Sequence, residues 1–192
     1  MSSHLLRGPV NASAECLEAL RAKRGAWIPG ESSIRPNLET RQRKAFFFEN
    51  EIPKYADIKD YVLHCIFRVP LQTSDEASEK LRVISAEDIP ESLLPEEGIL
   101  MPNMFPYDTR GRHDVIWYFS SPETTLEFTP EKVTRDVESA LRMRLKHDRF
   151  DFVYYCNPKM SVPSIAHYQV FWRSFTKTEF AEYEQDMRPS LA

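Results

Sequence analysis

Apolar and polar residues alternate along this chain in three distinct ways, and each predicts a different kind of structure. Residues 1–50 mix Ser, Pro, Gly and charge, with a thin stripe of Leu17, Leu20 and Ala22 that predicts one short helix over residues 13–24. This part is expected to be a tail or a peripheral helix. From Pro53 the period becomes helical: Tyr55, Ile58, Val62, Cys65 and Ile66 share one face, and Lys54, Asp57, Lys59 and Asp60 cover the other. Arg68-Val69-Pro70 ends that helix. Residues 72–98 then gather acidic side chains around Pro90 and Pro95, which predicts a loop-rich connection with at most one short helix.

Beyond this connection the period falls to two. Over residues 112–119, His113, Val115, Trp117 and Phe119 fall on one face, and Asp114, Ile116 and Tyr118 on the other. Both faces are bulky, so this strand should be covered on both sides. Thr129 as N-cap and Pro130 at the first helical position open a helix with the stripe Val133, Val137, Ala140, Leu141 and Leu145. Its other face is basic, with Lys132, Arg135, Arg142, Arg144 and Lys146. Residues 152–156 and 167–174 read as two more strands, rich in Tyr, Phe, Val and Trp. A last helix over residues 176–187 places Phe180 and Tyr183 inward. The order predicts one α+β domain over residues 51–192: a small mixed or mostly antiparallel sheet with helices packed on one face.

Composition narrows the function classes. A chain of 192 residues, 42% hydrophobic and 12% aromatic, buries one good core and is short for two domains. The net charge of -4 and pI near 5.8 give no general reason to expect nucleic-acid binding. The basic clusters at residues 21–24 and 41–44 read first as solvated faces, with a nuclear address or a phosphate-binding arm as the other reading. Cys16, Cys65 and Cys156 are widely spaced and odd in number, which suggests a reducing compartment rather than a disulfide framework or a thiolate zinc site. No apolar run approaches a membrane span and no secretory leader is recognisable, so the expected location is cytoplasmic or nuclear. Gly-rich phosphate loops, a G-x-S-x-G elbow and an H-E-x-x-H helix are absent from the sequence. No cofactor is called for.

The candidate chemistry lies in two similar segments. Each is a Pro-bearing loop, then a histidine, then a strand that reaches a tryptophan: residues 105–117 with His113, and residues 157–172 with His167. If the N-terminal ends of these strands meet, two imidazoles share a pocket with Asp108, Arg110, Arg112, Asn157 and Ser161. One histidine would then serve as base and the other as acid, while arginine neutralises an anion. A two-His, one-carboxylate metal set using Asp108 or Asp114 ranks second, because no pair of ligands has tight spacing. Each histidine also fits a half-buried residue bonded to a carbonyl. Trp117 and Trp172 read as core, and His147 reads as a cation near a helix C-terminus.

These motifs resemble a fungal and viral family, a domain of unknown function, named after the N-acetylglucosamine-induced protein of a pathogenic yeast. The similar elements are Arg68-Val69-Pro70, the run from Ile99-Leu100 through Asn103 to Phe105-Pro106-Tyr107, His113 leading to Trp117, and Asn157-Pro158, Ser161-Val162 and His167. They span roughly residues 55–173. Where the family has His-x-His, this chain has His167-Tyr168-Gln169, and the family's Tyr-Gly-Ser segment is missing. The resemblance implies a shared fold and, by analogy, a phosphorylated or nucleotide sugar as ligand.

Two functions follow as expectations. In the first, the loops 103–113 and 157–167 form a pocket for a small anionic, phosphoryl or sugar-phosphate compound. His113 and His167 would be catalytic, and Asn103, Tyr107, Asp108, Arg110, Arg112, Asn157 and Ser161 would bind the ligand. In the second, the protein is a non-enzymatic regulator that meets a cellular or host partner, or a second copy of itself, through the acidic 72–98 connection or the basic helix face.

Overall fold

The computed structural model describes residues 5–11, 13, 15–17, 27–29, 36–72, 80–90, 94–119, 128–157 and 161–186. The sheet consists of β1 (Gly8–Pro9), β2 (Ile99–Pro102), β3 (Arg112–Trp117), β4 (Phe150–Tyr155) and β5 (His167–Ser174), in the order β1-β4-β5-β3-β2. β1 pairs parallel to β4 and every other pairing is antiparallel. The α-helices whose bounds lie within the described residues are α1 (Leu38–Asn50), α2 (Ile58–Cys65), α3 (Pro130–Leu145) and α4 (Lys177–Asp186). This is the expected α+β fold with a mixed sheet. No described helix is long and apolar enough to cross a membrane.

α3 starts where its capping residues place it. The Thr129 side chain accepts a hydrogen bond from the Lys132 N–H, Pro130 occupies the first turn, and Lys146 closes the helix in a left-handed conformation. The stripe Val133, Val137 and Leu141 is fully buried against Ile116, Phe150, Phe152, Val170 and Trp172. Side chains of this kind stabilise by about 1.5–3 kcal/mol each when buried. α4 begins with a capping box: Thr176 Oγ1 accepts from the Glu179 N–H, and Glu179 Oε2 accepts from the Thr176 N–H at 2.8 Å.

The opposite face of the sheet is covered in two pieces. At one end Leu17, Trp27 and Ile28 pack on Val153, Tyr155 and Phe171. At the other, Val62 and Leu63 of α2 join Phe67, Val162 and Ile165 over Trp117 and Ile99. The one-sided helical layer is thus the α3 face, and α2 with irregular chain forms a second cover.

Where a tail or a peripheral helix is expected over residues 1–50, those of them that are described pack into the domain. β1 extends the sheet, Trp27 and Ile28 are wholly buried, and α1 is a thirteen-residue helix capped by Asn37, whose side chain accepts from the Thr40 N–H at 2.9 Å. A boundary near residue 50 therefore does not divide the domain. Of the helix expected over residues 13–24, residues 15–17 are helical, and 18–24, with the basic cluster 21–24, lie outside the described residues. Much of the acidic connection, residues 73–79 and 91–93, lies outside them as well.

Candidate ligand-binding site

Between the two covers of the second face is a cavity of about 420 Å³. Its floor is the sheet, with Met101, Val115, Trp117, His167 and Gln169. Its roof is α1 and α2, through Phe47, Phe48, Ile58, Tyr61 and Cys65, and the 102–107 loop closes one side. Lys44, Pro102, Met104 and Ser161 are exposed lining residues and mark the mouth. The walls are aromatic: Phe47 sits edge-on to Tyr61 with ring centroids 5.1 Å apart, and tilted against Phe105 at 5.5 Å. No Asp, Glu or Arg lines the cavity among the described residues. Among those residues Lys44 is the one permanently charged lining side chain.

The two histidines do not meet. β3 and β5 run antiparallel with His113 opposite Phe171 and Trp117 opposite His167, so the histidines lie four strand positions apart, about 13 Å along the sheet. Both face the same side, but their loops approach from opposite ends. A paired acid and base is therefore not assembled, and neither is a two-His, one-carboxylate set. Asp114 points to the other face and bonds Arg144 at 2.6 Å, and Asp108 is exposed. Among the described residues no group of three His, Cys, Asp or Glu side chains converges as a metal site requires.

His113 is a structural residue. It is buried, stacked on Phe171 with centroids 4.3 Å apart, and edge-on to Tyr107 at 4.7 Å. Its Nδ1 accepts from the Tyr107 backbone N–H at 2.9 Å, so the ring proton sits on Nε2 and is donated to Gln169 Oε1 at 2.6 Å. Burial pushes its pKa down to about 4 against the raising effect of that bond. Asn103 is fixed in the same way. Its Oδ1 accepts from the Phe105 N–H at 2.8 Å, which leaves its Nδ2 to donate to Gln169 Oε1 at 3.0 Å. Two backbone N–H groups thereby set the orientation of the whole network. The Gln169 oxygen is committed to it, and the Gln169 amide nitrogen has no hydrogen-bond partner among the described residues.

His167 lines the cavity directly. Its Nδ1–H donates to the Ile165 carbonyl at 2.8 Å and its ring stacks on Trp117 with centroids 4.5 Å apart. Burial lowers its pKa, so at neutral pH Nε2 is a lone pair. That nitrogen, too, has no hydrogen-bond partner among the described residues.

No family model matches the chain, and no curated protein matches it. Among solved structures the chain is similar to one described as the crystal structure of HTC1, with 17% sequence identity and a TM-score of 0.40, covering 80% of this chain and 83% of that chain.

Of the residues singled out in the sequence, His167, Asn103, Tyr107, Asn157 and Ser161 line the cavity. Arg110, Arg112 and Asp108 are exposed and lie outside the lining, and His113 lies behind Gln169. Gln169 and the α1 wall were missed. Gln169 carries no titratable group to attract notice, yet its place two residues after His167 puts both on one strand face. The basic face of α3 is largely neutralised within the domain. Arg142 bonds Asp148 and Glu138, Lys132 bonds Asp136 at 2.9 Å, and Arg144 bonds Asp114. Trp172 is core, as expected, while Trp117 is cavity wall. His147 accepts from the Arg149 N–H through Nδ1 at 3.2 Å, a turn contact just beyond the end of α3.

Proposed function

We propose that this protein binds a small, largely apolar molecule in the cavity between the sheet and helices α1 and α2. The observation that carries this reading is the lining itself: aromatic and aliphatic walls around a floor with a few fixed polar groups, at a volume usual for small-molecule sites. A phosphoryl or sugar-phosphate ligand is the weaker fit. Recognition of a doubly charged group calls for convergent arginines or backbone donors, and Arg110 and Arg112 stand outside the cavity. A partner-binding role through the α3 face has less support, since Lys132, Arg142 and Arg144, among its five cations, already have intramolecular acceptors.

The test is a titration with N-phenyl-1-naphthylamine, a neutral apolar dye whose emission rises on leaving water. Saturable binding of one dye per chain is expected. Val115→Trp, which fills the floor of the cavity, should abolish it while circular dichroism stays native. No saturable binding, or binding that survives Val115→Trp, would remove the reading.

A further inference from the structure

The polar pair on the cavity floor restricts what a ligand can present to it, an argument that rests on the small-molecule reading above. The Ile165 carbonyl only accepts, so it turns the Nδ1–H edge of His167 back along the chain. The other ring nitrogen, Nε2, is left with its lone pair on an edge away from that carbonyl, in a ring that lines the cavity. The Gln169 oxygen is held toward His113, which sits beside Phe171, the next residue on the same face. A planar carboxamide held this way keeps its NH₂ group off the His113–Asn103 network and leaves it to the cavity that Gln169 lines. A donor and an acceptor thus face a shared space from strand positions about 7 Å apart. Both line the cavity.

We infer that the cavity takes a ring-bearing apolar molecule whose buried polar group is neutral and both donates and accepts a hydrogen bond, a hydroxyl or an amide, and that it discriminates against carboxylates. Such a group donates to His167 Nε2 and accepts from Gln169 Nε2 at once. A carboxylate satisfies Gln169 but sets an oxygen lone pair against the imidazole lone pair and leaves a buried acceptor unpaired, a heavy cost in a site of this kind. The ring preference comes from the Trp117–His167 stack on the floor and the Phe47–Tyr61–Phe105 cluster above it. Lys44 at the mouth is the competing element, because it would favour an anionic head.

A matched set of naphthalene, naphthalene-2-carboxamide and 2-naphthoate, competed against N-phenyl-1-naphthylamine at neutral pH, reads this directly. The carboxamide should bind about tenfold more tightly than the naphthoate and than naphthalene itself. In His167→Phe, which keeps an aromatic ring but loses the acceptor together with the Nδ1–H bond to Ile165, the preference for carboxamide over naphthalene should shrink to about twofold. Naphthoate binding equal to or tighter than the carboxamide would overturn the inference in favour of Lys44 as head-group reader. So would equal binding of naphthalene and its carboxamide. Either result leaves the small-molecule site standing, because the dye would still bind; loss of dye binding would instead strike the site itself.

Discussion

Two histidines with similar sequence surroundings take different parts because of what their ring nitrogens meet. His113 Nδ1 receives a backbone N–H and becomes a neutral strut, while His167 Nδ1 gives its proton to a carbonyl and keeps a lone pair for the cavity. Because the pKa of His113 is lowered to about 4 in the folded protein, the unfolded chain takes up its proton first as pH falls from about 6.5. Stability contributed by the neutral ring is complete above 6.5, declines between about 6.5 and 4, and is flat below. The loss amounts to about 3 kcal/mol at most. In urea unfolding at pH 7.5 and pH 4.5, His113→Gln should show a pH-dependent loss smaller than the wild type by about 2 kcal/mol. Equal losses in the two proteins would deny that the ring is held neutral. The position of His113 on a strand was legible from the period-two pattern. Its proton was not, since that is set by Tyr107 and Gln169, which are neighbours only in the folded chain.

At the scale of elements, β3, β4, β5 and α3 were legible because each buries a largely apolar face or stripe, and Thr129 and Pro130 mark where α3 begins, whereas the two- and four-residue strands β1 and β2 are too short to show a period and were not legible. α1 escaped because its apolar side chains Phe47 and Phe48 face a cavity rather than a packed core, and the positions one and two turns earlier on the same side are the polar Lys44 and Thr40, so its apolar stripe is interrupted. Strand direction was equally hidden: each strand reads alike in either orientation, and only the antiparallel pairing of β3 with β5 parts the histidines. The N-terminal segment is tied in by Asp151, fully buried on β4. It accepts from the Leu6 and Arg7 N–H groups, from the Phe152 N–H and from the Tyr183 hydroxyl of α4 at 2.8 Å. Burial raises its pKa, opposed by those four donors. Asp151→Asn sets an NH₂ against donors and should cost about 3 kcal/mol in thermal or urea unfolding. A change under about 0.5 kcal/mol, the range of ordinary surface substitutions, would show that the clamp is not structural.

For the whole molecule, the cavity follows from how the second face of the sheet is covered. One continuous helix seals the first face, whereas two separate clusters from distant parts of the chain seal the second and leave a gap above Val115, His167 and Gln169. Local pattern cannot announce such a gap, because it depends on how residues near 27, 47, 62 and 162 come together. The central claim is that this gap is a ligand site with a directed donor and acceptor on its floor. It is tested most directly by nitrogen-15 chemical shifts of the Gln169 side-chain amide and the His167 imidazole as naphthalene-2-carboxamide is added. Gln169 Nε2 and His167 Nε2 should move together and saturate at one ligand per chain, with the His113 ring nitrogens shifting far less. Unchanged Gln169 and His167 signals alongside shifts at the exposed Phe46 face of α1 would contradict the claim and locate binding elsewhere.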